Sequence, residues 1–287
     1  MFREDCAFEQ VSIIGVGFLG GSFALSMKKS GLCKIIYGYG RNIRNLADAK
    51  DKGIIDKFSL DLKEVCSNSD LIVLSTPVGV FEKIITEISE VIKKGALVTD
   101  LGSVKGKLVY DIESRMPEGA YYIGSHPIAG GEKSGAENAR NDLFKGSLCI
   151  VTPTKNSDSA SLEQICRLWE SLGSRVELMD PHLHDEVYAI VSHLPHIVAF
   201  ALVNSVGDID ENFMKFAGRG FKDMTRIAIS PPELWSDIAL LNKENLLKMI
   251  EVFKKNVSKI EGFLLANDIE GLKKEFYRSR ELRERLQ

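Results

Sequence analysis

The sequence predicts an α/β protein with a doubly wound sheet, followed by an all-helical domain. Short apolar runs alternate with stretches of helical periodicity between Gln10 and Met179. A glycine-rich turn joins the first apolar run to the first helical stretch. After Asp180, apolar residues recur at three- and four-residue spacing, without another strand-like run. We therefore expect two domains, residues 1–180 and 181–287.

The glycine turn reads Gly15-Val16-Gly17-Phe18-Leu19-Gly20 and follows the apolar run 10–14. In a Rossmann βαβ unit the first glycine makes a tight turn, the second lets the backbone approach a pyrophosphate, and the third lets the helix pack closely on the strand. The helix N-terminus offers unpaired N–H groups to the phosphates. A bare glycine turn is the simpler alternative, but both flanks favour a dinucleotide site that includes Gly15, Gly17, Phe18, Leu19 and Gly20.

The end of the second predicted strand, 34–39, bears on the choice of cofactor. An acid that binds the ribose hydroxyls of NAD is usual there, about twenty residues past the glycine motif. This chain has Gly40, Arg41 and Arg44 instead. A small residue followed by arginine leaves room for a 2′-phosphate and supplies a bidentate cation, so we favour NADP over NAD. Alternatively, both arginines are solvated charges on a loop, and NAD is still accepted.

The remaining pattern continues the sheet. The apolar run 71–74 predicts a buried parallel strand, and Ser75, Thr76 and Pro77 follow at the edge where ligands of open α/β sheets bind. The other predicted strands are 96–100, 121–124, 148–151 and 176–179, and the predicted helices between them are 80–92, 107–115 and 162–172. Asp180 and Pro181 predict an N-cap and first helical position where the helical domain begins.

The composition favours a globular protein that acts on a small molecule. The chain is 44% hydrophobic and 27% charged with a net charge of -3, which gives no general attraction to nucleic acid or an anionic membrane. Its five cysteines are scattered without metal-ligand spacing, which is typical of reduced thiols in the cytoplasm and predicts no metal site. The N-terminus lacks the pattern of a signal peptide. Polar residues interrupt the apolar stretch 189–206, so we expect a buried helix there and no membrane span.

Four separated segments are more specific than the glycine turn. They read DLGSVK (100–105), GSHPIAG (124–130), SHLPH (192–196) and GFKDMTR (220–226). Together, and in this order along nearly the whole chain, they resemble the prephenate dehydrogenase family, which includes arogenate and cyclohexadienyl dehydrogenases. The resemblance implies oxidative decarboxylation of prephenate to 4-hydroxyphenylpyruvate, or of arogenate to tyrosine, with hydride transfer to NADP or NAD.

The resemblance assigns His126 and Ser103 to catalysis. His126 matches the histidine that accepts a hydrogen bond from the substrate hydroxyl, and it should be neutral to do so. From the residues alone, a turn histidine bonded to nearby backbone is about as good an interpretation. Ser103 matches a serine that orients this histidine and contacts substrate or nicotinamide. It could also cap the helix that follows.

The substrate-binding residues implied by the resemblance are His196, Arg226 and Lys222. Arg226 suits a substrate carboxylate, and the alternative is a surface ion pair with Asp223. Lys222 would be a second cation, or simply a solvated lysine. His196 is assigned to the substrate side of a helix kinked at Pro195, whereas we expect His193 to pack or to cap a freed carbonyl.

Three other residues are assigned no catalytic role. Glu132 and Asp223 match acids that hold the pocket together or gate it, and neither is assigned to catalysis. Trp235 either approaches a neighbouring subunit's site or belongs to the core.

Two rival functions remain open at this point. One is another dehydrogenase with a Rossmann and a helical domain, such as a 3-hydroxyacid dehydrogenase or an imine reductase. Those enzymes place a catalytic lysine on the long first helix of the helical domain, and residues 180–204 contain no lysine. The other is a non-catalytic NADP-binding regulator, which would not need a hydroxyl-activating histidine.

The helical domain is also a candidate for homodimerisation.

Overall fold

The computed structural model describes residues 8–131 and 135–286. It confirms an α/β fold of Rossmann type followed by a helical region. The strands are β1 Phe8–Ile14, β2 Cys33–Tyr39, β3 Lys57–Ser59, β4 Leu71–Leu74, β5 Leu97–Asp100, β6 Tyr121–Pro127, β7 Leu148–Thr152 and β8 Arg175–Leu178. The helices of the sheet region are α1 Phe18–Lys29, α2 Ile43–Asp51, α3 Leu62–Cys66, α4 Phe81–Ile88, α5 Gly106–Glu113 and α6 Ser159–Ser171.

The sheet has the strand order β3-β2-β1-β4-β5-β6-β7-β8. Strands β1 to β6 are all parallel to one another, whereas β7 is antiparallel to β6 and parallel to β8. The chain order reverses at β1, which lies between β2 and β4. In such sheets, ligands bind beyond the carboxyl ends of the strands at this reversal.

Helices cover both faces of the sheet. Side chains alternate along β1, so Val11 and Ile13 join one buried cluster while Ile14 joins the other. The first cluster contains edge-to-face contacts of Phe23 with Phe144 and Trp169, whose ring centroids lie 6.3 and 5.4 Å from that of Phe23. With both faces covered, the strand ends remain as the accessible edge.

Several local predictions require correction. The helix expected over 80–92 is shorter, since α4 ends at Ile88. The predicted strand 121–124 continues through His126 to Pro127, so this histidine is part of a strand and is partly buried. Helices α2 and α3 and the short strand β3 were not predicted. Arg44 is therefore exposed on the first turn of α2, not on a loop.

The helical region begins as predicted, because the Asp180 side chain accepts hydrogen bonds from the backbone N–H groups of His182 and Leu183, and Pro181 is the first helical residue. Its helices are α7 Pro181–Tyr188, α8 Leu194–Asp210, α9 Arg219–Thr225, α10 Pro232–Leu241, α11 Lys243–Leu265 and α12 Ile269–Glu284. A π-helical turn, Ala189–His193, joins α7 to α8 and precedes Pro195. Pro195 therefore lies in the first turn of α8 and not inside a longer regular helix, and the irregular segment is the π-helical turn before it.

The expectation of a buried helix over 189–206 is wrong for the single chain. The helical run Pro181–Phe216 contains an 18-residue window of mean hydropathy 1.6, of which 22% is buried. By length and composition alone, this run could cross a membrane. Other helices of the region also expose large apolar side chains, such as Ile229 at 70% and Leu265 at 80%. The single chain thus leaves much apolar surface uncovered here.

Candidate active site

The glycine turn lies at the reversal point of the sheet, and each glycine has a different steric role. Gly15 has φ +103°, and a Cβ there would lie 2.7 Å from the Ser75 carbonyl oxygen. A Cβ on Gly20 would lie 2.3 Å from the Gly15 carbonyl oxygen. A Cβ on Gly17 would meet no atom of the described residues within 4 Å. Gly15 and Gly20 therefore permit close packing within the protein, whereas Gly17 borders open space that a ligand can enter.

That space is a cleft of about 520 Å³ along the carboxyl ends of β1, β2 and β4. It is lined by Gly15, Val16, Gly17, Tyr39, Gly40, Arg41, Asn42, Asn45, Leu46, Leu62, Ser75, Thr76, Pro77, Val80, Lys83, Ile84 and Glu87. The Thr76 hydroxyl is buried and has no hydrogen-bond partner among the described residues. An unpaired hydroxyl and an open glycine beside a helix N-terminus fit the polar half of a dinucleotide.

Seven of the predicted cofactor-binding residues line this cleft: Gly15, Gly17, Gly40, Arg41, Ser75, Thr76 and Pro77. The other three are placed nearby. Gly20 supports the turn, and Leu19 packs against the buried cluster that contains Phe23. Phe18 begins α1, and its ring would lie 3.2 Å from a Cβ on Gly131. Phe18 thus faces the glycine loop that follows the His126 strand.

One end of the cleft lies where β2 ends, the position at which dinucleotide sites usually hold a ribose. Gly40 follows Tyr39 directly, so no carboxylate occupies this position. Arg41 is exposed on the cleft wall. The Asn42 side chain accepts hydrogen bonds from the backbone N–H groups of Arg44 and Asn45, at 2.9 and 3.3 Å, and thereby caps α2. Arg41 is therefore the cation of this turn that faces the cleft.

A buried ionic network lies under the loop between β5 and α5. Lys105 Nζ lies 2.5 Å from Asp100 Oδ2, and both side chains are fully buried. The Tyr122 hydroxyl and the Ser125 backbone N–H donate to Asp100 Oδ1 at 2.9 and 3.0 Å. Burial of a charge pair is stabilising only with such additional hydrogen bonds. The network therefore fixes the loop that carries Ser103.

Ser103 is partly buried on this loop and does not cap α5. The helix begins at Gly106, and the Asp185 carboxylate accepts a hydrogen bond from the Lys105 backbone N–H at 2.8 Å. The alternative role of Ser103 as an N-cap is therefore wrong. Asp185, which belongs to α7, ties the helical region to this loop.

His126 is bonded to a second histidine that the sequence analysis did not identify. His126 Nδ1 lies 2.8 Å from His184 Nε2, and His184 Nδ1 lies 2.8 Å from Asp185 Oδ1. Tyr188 stacks on His184 with centroids 4.5 Å apart and also contacts the His126 ring at 4.7 Å. The partner that orients His126 in the described structure is therefore His184, and not Ser103 as expected.

The surroundings set the protonation states of this group. Burial, together with the nearby His184, Lys105 and His193, holds the pKa of His126 well below its usual 6.5. Burial likewise lowers the pKa of His184. Burial raises the pKa of Asp185 to about 6 against the opposing effect of Lys105. Near pH 7 both histidines are therefore neutral and Asp185 is ionised.

Of the two histidines around Pro195, His193 packs as expected, since it is buried and meets Trp235 edge-on. His196 is half-buried, and its Nδ1 lies 3.0 Å from the Ser192 carbonyl oxygen, so it is His196 that caps a carbonyl of the π-helical turn. Its ring stacks on Trp235. His193 is buried, and its Nδ1 lies 3.1 Å from Asn242 Nδ2. An amide donor makes Nδ1 the acceptor, which leaves the proton on Nε2.

His193 also connects the loop to the helical region. Its Nε2 is buried without a hydrogen-bond partner among the described residues. Burial lowers the pKa of His193 to about 4, while Asp185 and the Ser103 backbone act to raise it. His193 is thus close both to Ser103 and to the His184–Asp185 pair.

The expected substrate cations lie on the surface of the helical region. Arg226 and Lys222 are exposed, and burial and the Arg226 charge both lower the pKa of His196. The carboxylate of Asp223 lies 3.6 Å from the Arg219 guanidinium. Arg226 is therefore close to His196, at the same end of the region as Trp235. Glu132 lies outside the described residues.

Comparisons with known proteins agree with this arrangement. A family model for the prephenate dehydrogenase nucleotide-binding domain matches residues 23–178, and one for the prephenate dehydrogenase dimerization domain matches residues 180–278. The structure of prephenate dehydrogenase from Aquifex aeolicus, solved with hydroxyphenyl propionate and NAD+, superposes with a TM-score of 0.93 at 43% identity, covering 97% of this chain and 98% of that one.

Two curated relatives are similar in sequence. Prephenate dehydrogenase of Bacillus subtilis is 31% identical over 97% of this chain and 76% of its own length. Cyclohexadienyl dehydrogenase of Zymomonas mobilis is 29% identical over 96% of this chain and 95% of its own. The nucleotide-binding domain, the dimerization domain and the full-length relatives all agree, and the chain belongs to the prephenate dehydrogenase family.

Proposed function

We propose that this protein oxidatively decarboxylates prephenate, arogenate or both, in the biosynthesis of tyrosine. The observation that carries the proposal is a neutral histidine, His126, which lies on a strand end and is oriented by a buried hydrogen-bond chain. In the reaction the C4–H bond breaks and hydride leaves. The bond to the ring carboxylate then breaks, its electron pair completes the aromatic ring, and carbon dioxide departs.

The cleft beside Gly17 would hold the dinucleotide, with Thr76 and the N-terminus of α1 near its polar groups. The bound nicotinamide supplies the hydride acceptor. The chain itself must place the substrate C4 against it and accept charge from the C4 hydroxyl.

His126 accepts a hydrogen bond from that hydroxyl. As hydride leaves, positive charge develops at C4 and the hydroxyl becomes more acidic, so an acceptor there stabilises the transition state. When carbon dioxide departs, the ring becomes a phenol. The proton then belongs to the phenol oxygen, which again donates a hydrogen bond to His126. The reaction therefore neither consumes nor releases a proton at His126.

Arg226, His196 and Lys222 would bind the carboxylates of the substrate, and Ser103 would contact the substrate or nicotinamide near His193. A guanidinium offers two parallel donors to a carboxylate, which suits Arg226. Arg226 and His196 lie close together in the structure. This placement supports a shared substrate-binding role.

We further propose NADP as the preferred cofactor. Gly40 leaves no carboxylate to repel a 2′-phosphate, and Arg41 lies on the cleft wall without an ion pair among the described residues. The Aquifex aeolicus relative was solved with NAD+, so the preference depends on these two residues. Substitutions of Gly40 and Arg41 test this preference through the ratio of NADP to NAD efficiency.

We also propose that two copies of the chain form a homodimer through the helical region and that the enzyme is cytoplasmic. A second copy would cover the exposed apolar residues of this region and account for the apolar run Pro181–Phe216 without a membrane. The thiols of Cys33, Cys66, Cys149 and Cys166 are free, as in a reducing compartment. Sedimentation should give about twice the chain mass of 31.9 kDa. A monomer at micromolar concentration contradicts the dimer.

Steady-state kinetics with both substrates and both cofactors test the proposed function. We expect reduced cofactor and carbon dioxide in equal amounts, with 4-hydroxyphenylpyruvate from prephenate or tyrosine from arogenate. The activity should be higher with NADP than with NAD. Absence of reduced cofactor with all four combinations contradicts the proposal.

A further inference from the structure

Two buried side chains, His184 and Asp185, lie behind His126. His184 and Asp185 are adjacent on α7, whereas His126 belongs to β6 of the nucleotide-binding domain. His184 is fully buried and Asp185 is 3% exposed. Two hydrogen bonds of 2.8 Å join the three side chains in series. A catalytic histidine is thus connected to a carboxylate in another domain.

The hydrogen bonds in this series can run in only one direction when Asp185 is ionised. A carboxylate can only accept, so His184 donates from Nδ1 and must accept at Nε2. His126 therefore donates from Nδ1 to His184. The remaining nitrogen of His126, Nε2, carries no proton and is free to accept one. This is the tautomer that a hydrogen-bond acceptor for the substrate hydroxyl requires.

Other contacts restrict the movement of these three side chains and shield them from solvent. Asp185 also accepts the Lys105 backbone N–H, so its carboxylate cannot rotate freely. Tyr188 lies one helical turn beyond His184 and covers both imidazoles. The charged and titratable groups that face Asp185 are Lys105 on the β5–α5 loop, His184 on its own helix and His193 on the π-helical turn.

We propose that His184 and Asp185 are positioning residues that fix the tautomer and orientation of His126 and share the positive charge that it acquires during hydride transfer. The inference rests on the proposed function for its catalytic consequence. Its structural part, the tautomer of His126, does not depend on turnover. In enzymes that use a carboxylate behind a histidine, removal of the carboxylate lowers turnover while leaving the geometry intact.

The first test is the substitution Asp185→Asn, with His184→Gln as a second variant. Both should lower kcat by roughly 10- to 100-fold, since they remove an outer hydrogen-bond partner of the reacting group. The KM for substrate and the Kd for cofactor should remain within about twofold, because neither residue lines the cofactor cleft. Asp208→Asn and His182→Gln are matched controls at exposed positions of the same region and should retain wild-type turnover.

The pH profile distinguishes positioning from simple structural support. The raised pKa of Asp185 predicts that kcat of the wild type falls as pH decreases through about 6, where the carboxylate becomes protonated. In Asp185→Asn this low-pH limb of the profile, the decrease in kcat near pH 6, should disappear, because the remaining group, His126, has a pKa well below 6.5. An unchanged limb in that variant overturns the proposal, as does turnover within twofold of the wild type.

Nitrogen-15 NMR of histidine-labelled wild-type enzyme tests the inference without any variant that must fold or turn over substrate. The His126 signal, assigned by comparison with His126→Asn, should show a protonated Nδ1 and an unprotonated Nε2 at pH 7.5. A majority of the opposite tautomer overturns the inference. If the wild type turns over neither prephenate nor arogenate, the proposed function fails, and the NMR result still decides the tautomer.

Discussion

Trp235 lies flat against His196, with ring centroids 3.4 Å apart and ring planes 21° apart. The same indole meets His193 edge-on at 6.1 Å. One tryptophan on α10 therefore contacts both histidines that flank Pro195. In the single chain Trp235 stacks on a proposed substrate-binding residue and also packs against the second buried cluster, so its interpretation as a core residue is supported. Its approach to a neighbouring subunit's site stays a prediction.

The stack predicts a specific effect of losing the indole. Trp235→Leu should raise the KM for substrate about two- to tenfold, since an aromatic pair contributes about 0.5–1.5 kcal/mol beyond burial. Trp235→Phe keeps a ring on His196 and should retain most of the substrate affinity. Steady-state kinetics at saturating cofactor measure both. Equal KM values for the wild type and Trp235→Leu would contradict the assignment.

Arg226 should act mainly on substrate binding. Arg226→Gln removes the charge and should cost about 2–4 kcal/mol of binding if the substrate carboxylate becomes buried against it. This loss would appear as an increase in KM of roughly 30- to 1,000-fold. Arg226→Lys keeps the charge without the bidentate geometry, so its KM should lie between those of the wild type and Arg226→Gln. Lys273→Gln, which removes an exposed cation from α12, is the control.

Substitutions of Gly17 and Gly20 should have different effects, one on cofactor binding and the other on the stability of the fold. Gly17→Ala adds a methyl group into open space, so the melting temperature should change little while cofactor Kd rises roughly tenfold or more, because the pyrophosphate needs that space. Gly20→Ala places a methyl group against the Gly15 carbonyl and should lower stability by about 1–3 kcal/mol. Calorimetry and cofactor titration check the pair. A destabilised Gly17→Ala would show that this glycine serves packing.

The cofactor preference should change at Gly40. Gly40→Asp places a carboxylate where a 2′-phosphate would lie and should reduce the ratio of NADP to NAD efficiency by at least about tenfold. A Cβ at this position comes within 3.3 Å of the Leu46 side chain, so Gly40→Ala is needed to measure crowding alone. If both variants keep the wild-type ratio, the preference is not set at this strand end.

Local patterns in the sequence were sufficient for most of the nucleotide-binding domain. The glycine turn, the buried strand 71–74 and the Asp180 cap each depend on neighbours within a few residues, and each is confirmed. The short elements β3 and α3, of three and five residues, contain too little periodicity to be recognised. The antiparallel direction of β7 depends on its pairing with β6, which no local signal encodes.

The part of the site that sequence reasoning missed is His184 and Asp185. Both are on the buried face of α7, which also includes Pro181 and Tyr188. Polar residues at positions i+3 and i+4 of an otherwise buried helical face were the available signal, because a buried charge requires a partner. The partner, His126, is 58 residues away along the chain. Only the packing of α7 against β6 and α5 brings them together.

The most direct measurement of the central claim is the turnover of His126→Asn. We expect kcat with prephenate or arogenate to fall by at least about a hundredfold, because general acid–base catalysts contribute typically 10²–10⁴-fold. The Kd for NADP should remain within about twofold of the wild type, since His126 does not line the cofactor cleft. A variant that binds NADP normally and keeps the wild-type kcat would contradict the account.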